Sequence, residues 1–374
     1  MQVYFDNSST TAVCRSAADK AYEMMVSCFG NPSSLHSLGM AAERELEGAR
    51  FEIAKSLGVS QREIIFTSGG TEANNLAVLA AAQCRKRLGN RVVTSSIEHS
   101  SVLQACRELE NRGFEVVYLA PDESGKVKIE SLESVIDENT VLVSLMAVNN
   151  ETGAVQPFDK VGRIIKRKKA PAVFHCDGVQ AYGKIRLNPE KLGIDLLSLT
   201  AHKLHGPKGV GALYIKRGVR ISPRQFGGEQ QGGLRPGTEP APLIAAFGEA
   251  VKEIDYSAAQ TVTQIRDYIK ARLLKLERVY VNSPDDALPY ILNFSVEGIR
   301  SETMLHYLAE REIYVSSGSA CAKGKPSHVL SAMGLSRERA DSAIRASFSR
   351  HSTLEQAEIF CEAVALATKE LVRR

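Results

Sequence analysis

Residues Ser198–Gly209 read SLTAHKLHGPKG. The apolar run before them ends at Thr200, and His202, Lys203 and His205 then crowd the point where a strand would stop, followed by Gly206, Pro207 and Gly209. A lysine desolvated between histidines can shed its proton near neutral pH and act as a nucleophile. A basic surface loop would use the same letters, so the stretch acquires meaning only from partners elsewhere in the chain.

Outward from it, about Ala41 to Gly248, short apolar runs alternate with amphipathic stretches. REIIFTS, RVVTSSIEH, FEVVYLAP, TVLVSLMAVNN, AVFHCDGVQ and DLLSLTAH read as strands, and TEANNLAVLAAAQCRKRLG, SSVLQACRELENRG and SLESVIDE as helices. Such alternation predicts an α/β fold with a mainly parallel sheet covered on both faces. GVGALYIK follows its predecessor too closely for a helical crossover, so it is expected to be antiparallel. The Gly/Pro-rich break Arg224–Pro242 is long for a plain connection, which suits a functional loop. A long helical stretch through Arg278 is expected next, then a smaller α/β unit built from YILNFSVE, SETMLHYLAERE, IYVSS, HVLSAMG, AIRASFS and the amphipathic C-terminal run.

Composition narrows the function classes. A net charge of +4 spread over 374 residues argues against direct nucleic-acid binding. The opening MQVYFDNSSTTAV lacks the basic and apolar regions of a signal peptide, and no apolar run is long enough to span a membrane. Seven widely spaced cysteines without a CxxC pair form neither a disulfide framework nor a structural zinc site. A reduced, cytoplasmic, soluble protein is expected.

In an open parallel sheet, ligands sit beyond the carboxyl ends of the strands. In FTSGGTEANN, Gly69 and Gly70 let the backbone approach a ligand, and Thr71 opens a helix whose free N–H groups suit a phosphate; an ordinary capped helix would look similar. FHCDGVQ puts Asp177 at the end of an apolar strand, either as a surface cap or opposite a positive partner. His175, Cys176 and Asp177 do not make a metal site, because strand neighbours point to opposite faces. The strand-end lysine, the upstream acid and the phosphate-type helix start share one explanation: pyridoxal 5′-phosphate, held as a Schiff base with an acid on its ring nitrogen.

With those residues in view, the chain resembles the cysteine desulfurases, in the class V aminotransferase branch of the fold-type I pyridoxal-phosphate enzymes. The resemblance runs from FDNSSTT to AIRASFSR through TSGGTEANN, EHSSVL, VNNETG, HCDGVQ, AHKLHGPKGVGALY, RPGTEP and SSGSAC. It implies a large domain, residues 13–250, with a seven-stranded sheet sandwiched by helices. Residues 1–12 and 251–374 would form a smaller domain carrying the catalytic-cysteine loop. Lys203 would bind the cofactor covalently and shuttle protons, Asp177 would pair with the ring nitrogen, and Gln180 would bond the ring hydroxyl. His99 would stack on the ring and assist as acid or base. Gly70, Thr71, Thr200 and His202 would hold the phosphate, and Thr238 would reach the phosphate of a neighbouring subunit in a homodimer. Asn150 and Arg345 would form the substrate side, with Arg345 clamping the α-carboxylate of L-cysteine.

Cys321, in SSGSACAKGK, corresponds to the family's sulfur acceptor. Small, polar, glycine-bearing neighbours favour an exposed loop rather than a core site. The reaction needs its thiolate, and Lys323 and Lys325 would help to form it, modestly and in a salt-sensitive way. The other cysteines read differently. Cys84, Cys106 and Cys361 fall in helical patterns and Cys176 in a strand, which suits core packing, while Cys14 and Cys28 carry no further signal. SSGSAC resembles the long-loop, iron–sulfur-type group rather than the short-loop group, although the segment after Cys321 is slightly shorter than in those members and the chain stops at Arg374 without their C-terminal tail. The sulfur's destination is therefore open among a cluster scaffold, tRNA thiolation and cofactor synthesis, each through a sulfur-accepting protein. The competing readings are a selenocysteine lyase or another class V lyase or aminotransferase, and a metal-binding or sulfur-carrier protein using His175, Cys176, His202 and His205.

Overall fold

A computed structural model describes residues 1–317 and 327–371; Cys321, Lys323 and Lys325 lie outside the described residues. The chain opens with β1 (Val3–Tyr4) and helices α1 (Arg15–Val26) and α2 (Ser37–Leu57). It continues through β2 (Ile64–Thr67), α3 (Gly70–Cys84), β3 (Arg91–Ser95), α4 (Ser100–Asn111), β4 (Glu115–Leu119) and β5 (Thr140–Met146). Then come β6 (Val173–Asp177), β7 (Leu196–Thr200) and β8 (Gly211–Ile215). These last seven strands form one sheet in the order β2-β8-β7-β6-β5-β3-β4. Strands β3 to β7 pair in parallel, whereas β8 runs antiparallel to both β7 and β2, as its short connection requires. Every residue of β5, β6 and β7 is buried, the mark of a sheet covered on both faces. Helix α3 supports this closely, because its inner face is largely alanine.

A second layer follows: β9 (Val279–Val281), β10 (Ile291–Val296), β11 (Ile313–Tyr314) and β12 (Ala343–Ser347). Strands β12-β10-β9 form an antiparallel sheet, and β1 pairs in parallel with β11. The chain start is thus tied to its far end, and Asp6 bridges Ser347. Phe5 packs edge-on against Phe348 and Phe360 at 5.0 and 5.6 Å between ring centres.

Two expectations need correction. The single helical run through Arg278 is two helices, Ala241–Lys252 and Ala258–Leu273. Arg350 donates to both the carbonyl and the carboxylate of Glu253, which gives the first helix an outside partner for its end. Asp255 then accepts the Ser257 N–H at 2.9 Å and turns the chain. Cys84 is also not a core residue: it is exposed, because it is the last residue of α3, beyond the Ala80–Ala82 stretch that faces the sheet. Cys106, Cys176 and Cys361 are buried.

Candidate active site

The carboxyl ends of β6 and β7 and the start of α3 meet. Gly69 has φ +155°, a backbone that side chains rarely adopt, and a Cβ on Gly70 would lie 2.7 Å from Val179 Cγ2. Glycine thus lets α3 begin against the loop that follows Asp177, with Thr200 flanking it on the β7 side. Asp177 is buried at the end of β6, Oδ1 accepting from the Val179 N–H (3.0 Å) and Oδ2 from Asn74 Nδ2 (2.7 Å). The acid is therefore neither a surface cap nor an isolated charge. His175, two residues earlier, is bonded to Ser144 Oγ at 2.8 Å and Ser198 Oγ at 2.9 Å, tying β5, β6 and β7 together. Burial pushes it down to about 3, so it stays neutral.

Lys203 follows β7 in a single turn of 3-10 helix. Its amine donates to the carbonyls of Ser8 and, at 2.7 Å, Ser9. The Ser8 carbonyl also accepts from Gln180 Nε2 at 3.0 Å. His202 is half-buried with Nδ1 3.3 Å from Thr10 Oγ1, and burial with the nearby charge of Lys203 pushes it down to about 4. His205 is likewise held near 4 by burial, with Nδ1 2.9 Å from the Ala12 carbonyl. The two histidines that flank Lys203 in sequence are thus both held in the neutral form, and the charge of Lys203 contributes at His202.

Arg345, on β12, reaches the same N-terminal segment. Nη2 donates to Asp6 Oδ1 (3.0 Å) and Ser9 Oγ (2.6 Å), and Nη1 to the Asn150 carbonyl (2.9 Å). Nε is buried with no partner among the described residues. Arg345 also pairs through its backbone with Ser316, the last paired residue before the segment that contains Cys321.

His99 caps α4. Its Nδ1 accepts the Ser101 N–H at 3.2 Å and lies 2.8 Å from Ser101 Oγ. Burial lowers its pKa, opposed by the charge of Asp177 and assisted by that of Lys203. Ser101 Oγ in turn accepts from Asn74 Nδ2 at 2.9 Å, so His99 and Asp177 belong to one network.

Several contributors were not singled out from the sequence. Asn74 and Ser101 sit inside quoted motifs, and Asp6, Ser8 and Ser9 lie in FDNSSTT, yet nothing local marks them. Lys184 donates to Gln180 Oε1 at 3.3 Å and is pushed down to about 7, by burial first and then by the charges of Lys203 and Arg345. Glu151, beside Asn150, is buried and pushed up to about 7, and accepts from Ser327 Oγ at 2.5 Å. The Thr71 side chain, at the start of α3 beside Gly70, and the Thr238 side chain are exposed and make no hydrogen bond among the described residues.

The residues fit pyridoxal 5′-phosphate on three observations. The start of α3 offers unpaired N–H groups beside Thr200, where a Cβ at Gly70 would clash. A buried acid stands at the neighbouring strand end, and the unpartnered Arg345 Nε and Ser8 Oγ mark polar atoms awaiting a ligand.

Comparison with known proteins agrees. Residues 3–360 match the family described as "Aminotransferase class-V". The "Cysteine desulfurase IscS" of Colwellia psychrerythraea is 40% identical, covering 97% of this chain and 92% of that protein. The "Putative cysteine desulfurase IscS 1" of Bacillus subtilis is 38% identical over 99% of both chains. A solved structure titled "NIFS-LIKE PROTEIN" superposes with a TM-score of 0.94 at 38% identity, covering 99% of this chain and 100% of that one. One titled "SspA in complex with cysteine" gives 0.84 at 35% identity, over 94% and 100%. The chain therefore belongs to the class V aminotransferase family, among its cysteine desulfurases, enzymes that depend on pyridoxal 5′-phosphate.

Proposed function

We propose that the protein takes sulfur from L-cysteine, releases L-alanine, and carries the sulfur as a persulfide on Cys321. The observation that carries this reading is Arg345: a buried guanidinium with an unpartnered Nε, sharing the Ser8–Ser9 segment with the Lys203 amine. An amino acid presents the matching pair, a carboxylate for the unpartnered Nε–H and an amino group at the lysine's end.

When bound, the cofactor supplies an electron sink that weakens the bonds to the substrate's α-proton and then to its sulfur. Lys203 removes and returns protons at Nζ, and Asp177 stays an acceptor facing the ring nitrogen. Gln180, fixed by Lys184, presents its amide to the ring hydroxyl. Gly70, Thr71, Thr200 and His202 hold the phosphate, and Asn150 stands with Arg345 on the substrate side. The Cys321 thiolate attacks the substrate sulfur; the C–S bond breaks, an S–S bond forms, and the carbon keeps the electron pair and takes a proton to become alanine.

The pairing of β1 with β11 and of Asp6 with Ser347 supports a division into residues 13–250 and residues 1–12 with 251–374. A homodimer is supported by exposed Tyr22, Met25, Val26, Phe29 and Leu35 along α1 and the turn after it. Thr238, exposed and unbonded, would then serve the partner's phosphate. The six cysteines among the described residues are all free, which suits a reducing, cytoplasmic setting, and a sulfur-accepting protein, a cluster scaffold or a thiolation enzyme, would receive the product.

The test is the absorbance spectrum before and after L-cysteine, with alanine and persulfide assayed together. Cys321→Ser should keep the cofactor's colour and lose the persulfide; undiminished sulfur transfer would overturn the assignment.

A further inference from the structure

Resting on the reading of His99 as the imidazole beside the cofactor, we propose that Asn74 and Ser101 are positioning residues. They hold His99 as a neutral ring with a bare Nδ1 and a proton on Nε2, so that it serves as a fixed hydrogen-bond donor and leaves proton shuttling to Lys203.

The orientation follows link by link from Asp177. Both its oxygens accept, one from the Val179 N–H at 3.0 Å and one from Asn74 at 2.7 Å. The Asn74 amide turns its NH2 towards Asp177 Oδ2. The remaining N–H of that NH2 goes to Ser101 Oγ at 2.9 Å. With a lone pair so occupied, the hydroxyl has one proton to give, and His99 Nδ1 is 2.8 Å away. Ser101 aims its backbone N–H at the same nitrogen, at 3.2 Å. Two donors converge on Nδ1, which must therefore be the bare nitrogen. Nε2 has no hydrogen-bond partner among the described residues and is left to face a ligand.

Protonating the ring would mean placing a proton on Nδ1 and turning away both donors. The charges around it do not compel this. Asp177, from β6, favours the imidazolium; Lys203, beyond β7, opposes it, as burial does more strongly. His328, from the helix His328–Ala332, adds a second imidazole, bonded through Nε2 to the Glu98 carbonyl at 3.1 Å. A neutral imidazole is too weak an acid to give Nε2–H away fully, so it stabilises charge by donation rather than by transfer.

The experiment is 15N NMR of the full-length holoenzyme and the cofactor-stripped protein, both labelled at the eight histidines, with His99 assigned through His99→Gln. The expected result is an unprotonated Nδ1 and a protonated Nε2, unchanged from about pH 6 to 8. Ser101→Ala removes one donor and should raise the His99 titration midpoint by about one unit. Ser101→Thr should restore it. A proton on Nδ1, an imidazolium within that pH range in the wild type, or a Ser101→Ala titration identical to the wild type would each overturn the proposal. None of these readouts depends on turnover, so loss of the desulfurase reading would be seen separately, in the alanine assay.

Discussion

The two halves of the site are built differently. On the cofactor side, His99, Ser101, Asn74 and Asp177 come from neighbouring strand and helix ends of one sheet, and both Asp177 oxygens already have donors. On the substrate side, Arg345 is joined to Asp6 across 339 residues of chain, and Lys203 borrows the Ser8 and Ser9 carbonyls. That side leaves Arg345 Nε and Ser8 Oγ buried and unpartnered. In the first half the groups that would face the cofactor, Asp177 and His99 Nδ1, are already paired before anything binds, although Asn74 Oδ1 and Glu98 Oε2 beside them are buried without a partner. In the second, the unpartnered atoms belong to the residues that would meet the ligand, and their burial costs stability until it does. Orientation is settled in advance on one side and recognition is left open on the other.

The strongest way to break this contrast is at the one residue that belongs to both halves. Lys203→Ala should abolish the visible band of the lysine-bound cofactor and lower alanine formation by about a thousandfold or more. Retained colour or turnover would remove Lys203 from the centre of the site. Next in size is Arg345→Lys, which keeps the charge and loses the fork. The value of kcat/KM for L-cysteine should fall by roughly ten- to a hundredfold, mostly through KM. An unchanged KM would mean that the unpartnered Nε is not a carboxylate site. The melting temperature, measured alongside, separates this from loss of the anchors to Asp6 and Ser9.

Each half also holds a buried carboxyl group. Burial, aided by the charge of Asp177, pushes Glu98 up to about 8, and burial pushes Glu151 up to about 7. An unfolded glutamate loses its proton near 4.3. Between that value and the folded one, the native protein holds a proton that the unfolded chain lacks. This contribution to stability is whole at low pH and declines as pH rises through the window. Glu98→Gln mimics the neutral acid, so its melting temperature relative to wild type should climb from about pH 5 to about pH 9. Glu151→Gln should show the same trend, ending nearer neutrality. A difference independent of pH would show that neither group is kept neutral by the fold.

The sequence made one half more legible than the other, for a physical reason. Apolar runs ending in Asp177 and Lys203 are local patterns, and a parallel sheet must bring their ends together. Arg345 and Lys203 were named, but the Asp6–Ser9 segment between them was not, because it reaches them only through the pairing of β1 with β11. Asn74, Ser101 and Lys184 were invisible for the same reason: single polar residues in helices and turns acquire roles only from what lies across the fold. The break between the helices Ala241–Lys252 and Ala258–Leu273 depends on Arg350, 97 residues beyond Glu253. No window of helical periodicity contains that contact.

The smallest expected effect tests whether the cofactor side is truly finished. Cys106 lies on α4, the helix that carries Ser101, and Cys176 sits between His175 and Asp177. Both are fully buried; burial pushes the Cys106 thiol up to about 12 and Cys176 well above the ordinary thiol range. Alkylation requires a thiolate and access, so both should react only when the structure opens. If this half is complete without its ligand, stripping the cofactor should leave their labelling rates unchanged, while exposed Cys84 labels quickly in both states and serves as the control. Cys84→Ser should shift stability by less than about 0.5 kcal/mol. A marked rise in Cys106 or Cys176 labelling on removal of the cofactor would show that the ligand organises this half too, and the contrast between the two sides would fall.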